Sequence, residues 1–251
     1  MRDFTLSTLE LLLSTLLKNG YTFVTFEDFL TNKTNGKQII LRHDVDAFAQ
    51  NSLDAAIIEN KLGIKGSYYF RIVKQSNKPK IIHAIAALGH EIGYHYEDLA
   101  LAHGNRQEAI KSFEKNLHYF RTYYPIKTIC MHGSPVSKWD NRKLWESYDY
   151  KKYGIIGEPY FEIDFTKFLY LTDTGRMWDG HKVSVRDKMP SSSSHHLSFS
   201  STFDIINWAD KLPDQIMITT HPQRWNNNMS RWMIELVLQN IKNLIKRFVA
   251  S

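Results

Sequence analysis

The sequence predicts a single-domain α/β barrel built on a parallel sheet, and three observations carry that expectation. Apolar runs such as Ile39-Ile40-Leu41 are continuous rather than alternating, which is how strands covered on both faces read. Between these runs lie segments with helical apolar spacing, so strand and helix alternate along the chain. A length of 251 residues with 43% apolar content is long for one ordinary domain and typical of one α/β barrel, and no linker or internal repeat divides it.

In chain order, Leu9, Leu12, Leu13, Leu16 and Leu17 form a helical stripe that Gly20 stops, because glycine accepts the positive φ that closes a helix. Tyr21 to Thr25 reads as a short strand, Phe26 to Leu30 as a helical turn and Thr31 to Lys37 as a polar turn. Residues 1–37 are therefore a helix and short strand ahead of a core over 38–221. Ile39 to Asp46 is the organising strand of that core. It ends in Asp44 and Asp46, which a period of two aims to one side. Two carboxylates so close repel unless a cation or a shared proton relieves them. A hydrolytic metal site uses both, one binding the ion and the other taking a proton from the attacking water. The alternative is a capping or loop pair ahead of the next helix. That helix runs to about Leu62, with Leu53, Ala56 and Ile57 inward and Gly63 as its stop, and Lys65 to Ile72 is the second main strand. A helix over Ile81 to Leu88 follows.

The third strand is Gly89-His90-Glu91-Ile92-Gly93-Tyr94-His95-Tyr96-Glu97. His90 and His95 are five apart and fall on opposite faces, so they do not hold one ion together. His95 lies at the carboxyl end, where parallel α/β folds build their sites, and is the ligand candidate; His90 reads as a hydrogen-bonded structural residue. Asn105 caps a helix that turns Ile110, Phe113, Leu117 and Phe120 inward and leaves His118 at the solvated edge. The strand Thr128 to Met131 ends in His132-Gly133-Ser134-Pro135, where His132 is a ligand or a loop donor. Tyr153 to Gly157 and Phe168 to Thr172 read as two more strands. The second leads into Asp173-Thr174-Gly175-Arg176-Met177-Trp178, where Asp173 and Arg176 either pair with each other or orient a catalytic group. Ser191 to Ser194 and His195-His196 read as a mobile loop. Gln215 to Thr220 is the last strand and ends at His221. Residues 229–249 read as a packing helix that buries Met233, Leu236, Val237, Ile241, Leu244, Ile245 and Phe248, with Lys246 and Arg247 complementing the macrodipole.

The net charge of +6 is scattered in short groups such as Lys151-Lys152, which argues for a basic surface and against a nucleic-acid partner. Cys130 is the only cysteine, so no intrachain disulfide forms. No apolar run reaches about eighteen residues and no secretory signal pattern opens the chain, so a cytoplasmic protein without membrane insertion is expected.

The order of these motifs resembles the polysaccharide deacetylase family, metal-dependent carbohydrate esterases built on an irregular (β/α) barrel of about seven parallel strands. The resemblance covers roughly Gln38 to His221. It implies Asp44 as general base and Asp46 as metal ligand. It also implies His95, closing the Gly89 to Gly93 run, as a second ligand, and His221 after Thr220 as general acid on the leaving amine. Asp173 and Trp178 resemble the fourth motif. Two departures stand out. Leu99 occupies the place of the next ligand histidine, leaving Glu97, Asp98, His103 or His132 to replace it; His132 is preferred because a strand end brings it to the barrel mouth. The arginine expected before Pro135 is absent, with Arg176 as its stand-in. A carboxylate and imidazole shell suits Zn²⁺. Tyr94, Tyr96, Trp178 and Trp225 are candidate platforms for sugar rings, core or rim packing being the alternative. The implied activity is hydrolytic removal of an N-acyl group, acetyl in the first instance, from an amino sugar such as a precursor of a surface polysaccharide. The alternatives are a non-catalytic glycan binder, which the two departures would fit, and a metal-dependent amidase on a non-sugar substrate.

Overall fold

A computed structural model of the chain describes residues 1–32, 36–134, 137–178 and 197–249, with side chains up to Leu244. Helix α1 (Leu6–Lys18) is capped by the Thr5 side chain, which accepts from Thr8 N, and leads through β1 (Thr22–Val24) and α2 (Phe26–Thr31) to β2 (Gln38–Val45). There follow α3 (Ala49–Lys61), β3 (Ser67–Phe70), α4 (Pro79–Ala87) and β4 (Glu91–Tyr96). Next come α5 (Asp98–Leu101), α6 (Arg106–Arg121), β5 (Ile129–Met131) and α7 (Pro159–Glu162). The chain continues with β6 (Leu169–Thr172), α8 (Thr202–Asn207), β7 (Gln215–Thr220) and α9 (Met229–Val249).

The seven strands form one sheet of parallel pairs in the order β5-β4-β3-β2-β7-β6, curled into a half-barrel with helices packed against it. β2 lies at its centre. β1 pairs the first half of one β2 edge (Thr22 with Gln38) and β3 pairs the second half (Arg42 with Ser67), while β7 runs along the other edge from Gln38 to His43. All eight residues of β2 are buried, so the continuous apolar run reads as it does because both faces are covered.

Alternation along β2 sorts its chemistry. Ile39, Leu41 and Val45 pack on the helix side, Leu41 with the leucines of α1 and Val45 against α3 and α4. Ile40 points to the inner side with Phe26 and Met217, and the same parity carries Arg42 and Asp44 inward. In β4 that parity carries Glu91, Gly93 and His95 inward. Gly93 is glycine because a Cβ there would meet the Tyr69 ring at 2.3 Å.

Several sequence expectations are corrected. Tyr153 to Gly157 is not a strand: Tyr150–Tyr153 forms a 3₁₀ turn, and only Gly157 bridges Thr128. In α3, Ile57 is exposed and the inner face is Ser52, Ala55, Ala56 and Glu59. In α9, Met233, Val237, Ile241 and Leu244 face solvent, while Gln239 and Asn243 are buried. The expected burial of Ile245 and Phe248 lies outside the described side chains, and Ser191 to His196 and Pro135 lie outside the described residues. Gly20 and Gly63 do take the positive φ that their helix stops require, +85° and +71°.

Candidate functional site

Four strand ends bring five of the sequence candidates together. β2 delivers Asp44 and, one residue past its end, Asp46; β4 delivers His95; and His132 follows β5, which pairs β4 in a register that sets Cys130 beside His95. His221 follows β7, the other neighbour of β2.

Asp46 Oδ1, His95 Nε2 and His132 Nδ1 form a triangle with edges of 3.6 Å (Asp46 to His95), 3.0 Å (Asp46 to His132) and 3.3 Å (His95 to His132). Tetrahedral coordination with bonds of about 2.0–2.1 Å sets ligand atoms about 3.3–3.4 Å apart. The triangle is therefore one face of such a shell, and the three residues could hold a metal ion. Protonation agrees with that fit. His95 Nδ1 lies 2.9 Å from the Cys130 carbonyl, which only accepts, so Nδ1 carries the proton and Nε2 presents a lone pair. Burial pushes the His95 pKa down to about 4, which keeps the ring neutral. Asp46 Oδ1 is buried and has no hydrogen-bond partner of good geometry, although His132 Nδ1 is close. A cation held among the three residues would engage that oxygen directly. Burial works against ionised Asp46, but His132 more than offsets it and holds the carboxyl well below its ordinary range. Burial likewise lowers His132, and the Asp46 carboxylate reverses the sign and raises its pKa. A bound ion would compete with a proton for His132. Beyond His132, its Nε2 lies 4.0 Å from Glu97 Oε2, and Glu97 is gripped by Arg71 at 2.9 and 2.7 Å.

Asp44 is held differently. Arg42 Nε and one terminal nitrogen donate to its two oxygens at 2.7 and 2.5 Å, a bidentate fork buried in the half-barrel. Burial would raise the Asp44 pKa, but Arg42, with His95 and His221 behind it, brings it below the ordinary range. Asp44 Oδ2 sits 3.8 Å from His95 Nε2, beside the triangle without being part of it. His221 is fixed by Asp173, whose Oδ1 lies 2.6 Å from Nδ1 and which also accepts from the His221 backbone N–H. Arg224 and Trp225 Nε1 donate to the same carboxylate at 2.6 and 2.7 Å. These partners pull the Asp173 pKa down to about 2 against the opposing effect of burial. With Nδ1 engaged, Nε2 is the free nitrogen of His221.

The other candidates are placed elsewhere. Arg176 does not stand in for an absent arginine: its side chain turns to α9, 2.7 Å from Glu235, over the Trp232 and Phe4 rings. Arg42 is the arginine that supports Asp44. The signal was its spacing, two residues before Asp44 on a strand and therefore on the same face. Tyr94 and Tyr96 face the helices among Phe113, Phe120 and Trp145, with no exposed ring to stack on a sugar. Trp178 and Trp225 are equally buried, packed with Phe4. Asp98 is used by Tyr94, Ser112 and Asn116, and His103 is exposed on a turn with φ 49°. Phe48, two residues beyond Asp46, is 65% exposed with φ 49° and is the aromatic ring that sequence reading overlooked.

No family model matches the chain, and no curated protein matches it significantly. Among solved structures it is similar to a mutant of a CE4 family pseudoenzyme, at 13% identity and a TM-score of 0.43 over 85% of this chain. The chain spans 64% of the length of that protein. It is also similar to the CE4 domain of a multidomain xylanase from the hindgut metagenome of Trinervitermes trinervoides, at 16% identity and a TM-score of 0.39, covering 85% of each chain.

Proposed function

We propose that the chain is a divergent polysaccharide deacetylase: a metal-dependent hydrolase that removes an N-acyl group, acetyl in the first instance, from an amino sugar. The observation that carries this reading is the Asp46, His95 and His132 triangle, whose edges suit three donor atoms of one tetrahedral ion. Beside it stands a second carboxylate that the arginine fork holds apart from it. The sugar itself comes from the motif order in the sequence.

When bound, a divalent ion, Zn²⁺ by its donor set, supplies Lewis-acid polarisation of the acyl oxygen and makes water a nucleophile near neutral pH. The chain's own residues do the rest. Asp44 accepts the proton of the attacking water; Arg42 keeps it ionised and fixes its plane, so that a lone pair remains available beside the metal ligands. His221 delivers a proton from Nε2 to the leaving nitrogen, and Asp173 holds the ring in the tautomer and orientation that this needs. Phe48, exposed next to the aspartates, takes the stacking role that the buried tyrosines and tryptophans leave open. A glycan binder without catalysis would use Phe48 but has no use for an oriented His–Asp pair, so the hydrolase reading accounts for more of the geometry.

The direct test is metal analysis of purified protein together with acetate release from N-acetylated amino sugars. About one equivalent of a divalent ion is expected, with acetate released from sugars in preference to simple acetamides. Metal-free protein after reconstitution with Zn²⁺ would overturn the reading, and preference for simple acetamides would move the substrate out of the sugar class.

A further inference from the structure

Helix α9 is amphipathic the wrong way round. Its inward face is polar: Asn243 Nδ2 donates to the Gly175 carbonyl at 2.8 Å, Gln239 donates to Asn243, and Glu235 pairs with Arg176. Trp232 Nε1 reaches the Asp3 carbonyl at 2.8 Å. Its outward face carries Met233, Ile234, Val237, Leu238, Ile241 and Leu244, each between 45% and 59% exposed. Their spacing of three and four residues makes one continuous apolar stripe. In α1 and α6 the same spacing points into the core. A surface of this kind exposed to water marks a place where something docks.

Charge selects the occupant. The helix carries Arg231, Lys242, Lys246 and Arg247 against one acid, Glu235, which Arg176 already neutralises. Two copies laid together along this stripe would set cations against cations with no free carboxylate on either helix. No polar residue interrupts the stripe to fix a register for a protein partner. An anionic bilayer answers both features, taking the apolar stripe among its acyl chains and the basic flank at its headgroups. The net charge of +6 acts in the same direction. We infer that α9 is an interfacial helix that seats the protein on an anionic membrane surface. It lies on the bilayer and does not span it: no helix among the described residues is long and apolar enough to cross. Through Gly175 and Arg176, α9 is tied to the loop after β6, next to Asp173. The bilayer contact is thus on the strand-end side of the sheet, where the histidines and aspartates gather.

The test is co-sedimentation of the full chain with vesicles of phosphatidylcholine, and of phosphatidylcholine containing about one third phosphatidylglycerol. Binding to the anionic vesicles is expected to exceed binding to the neutral ones by about tenfold and to weaken with salt. The double variant Ile234→Asp, Ile241→Asp is expected to lose at least about tenfold in binding, and Lys242→Glu about fivefold. Thermal melts of both variants should stay close to the parent, because Ile234, Ile241 and Lys242 are all exposed. Absence of sedimentation, or equal sedimentation with both vesicle types, overturns the proposal. So does a dimer seen by light scattering that Ile241→Asp splits while vesicle binding is absent, since that assigns the stripe to a second copy.

Discussion

Two groups of buried histidine and carboxylate flank β2, one on each face, and they differ in whether solvent reaches them. On the helix side, His43 Nδ1 meets the Thr220 hydroxyl at 2.6 Å, its Nε2 lies 2.9 Å from Glu59, and Glu59 accepts from Tyr68 at 2.8 Å. His90 there donates through Nε2 to the Ala56 carbonyl and accepts at Nδ1 from Gly66 N–H, so both nitrogens are used and burial keeps the ring neutral. Nothing in that group is reached by solvent. On the inner side, Asp46 and His132 are partly open to solvent, 22% and 14%, and donor atoms of Asp46, His95 and His132 lie within 3.6 Å of one another. Histidine content does not separate a structural cluster from a reactive one. Access to solvent does.

The largest expected effect falls on the inner face. Asp44→Asn should retain the metal and lower turnover on the order of 10³-fold. It should also lower the melting temperature, because Arg42 keeps its buried charge and loses its counterion. Unchanged turnover would remove Asp44 as the base and erase the distinction between the two faces. Next, Asp46→Ala should weaken metal binding beyond about 100-fold, since even outer partners of a ligand account for 10–100-fold. Its metal-free form should lose about 1–2 kcal/mol relative to the metal-free parent, less than the helix-side variant below, because the contacts of the carboxylate with His132 and Gln223 go with it. Glu59→Ala is the mirror experiment. It strips Tyr68 of its acceptor and leaves a void between α3 and the sheet, a loss of about 3 kcal/mol in urea unfolding with metal stoichiometry intact. If Glu59→Ala empties the metal site while Asp46→Ala unfolds the protein, the assignment of the two faces is reversed.

How much of this was legible in the sequence depended on whether a local period could decide it. The β2 run and its two aspartates were readable because continuous apolar residues and a period of two are local facts. The same period, carried through β4, sets Tyr94 and Tyr96 opposite His95 and so excludes them from the site; the signal was present and unused. Arg42 was likewise in plain view, two residues from Asp44. The gathering of His132 with His95 was beyond local reading, because the register of β5 on β4 creates it across 37 residues. For α9, apolar spacing identified which residues share a face but carried nothing about which face the body covers. That was decided by hydrogen bonds from Asn243 and Trp232 to distant backbone carbonyls.

The smallest of the expected effects separates Asp173 from its neighbours by pH. Burial and its partners together set its carboxyl at about 2 in the folded chain against 3.8 ordinarily, so above about pH 5 it is ionised whether the chain is folded or not, and its partners contribute their full stabilisation. As pH falls below that, the unfolded chain takes up a proton that the folded chain refuses, and the contribution, about 2 kcal/mol, drains away until the folded carboxyl protonates as well. Asp44 and Asp46 are also depressed and add to the same acid limb, so the parent curve alone does not isolate Asp173. The difference between parent and Asp173→Asn does. Urea unfolding of both, between pH 5 and pH 2, should show a stability gap that narrows by about 2 kcal/mol towards the acid end. A gap that stays constant would mean that the Asp173 carboxylate is no better stabilised in the folded chain than in water. His221 would then lack the fixed anion that orients it, and the inner face would keep its opening to solvent without an oriented His–Asp pair beside it.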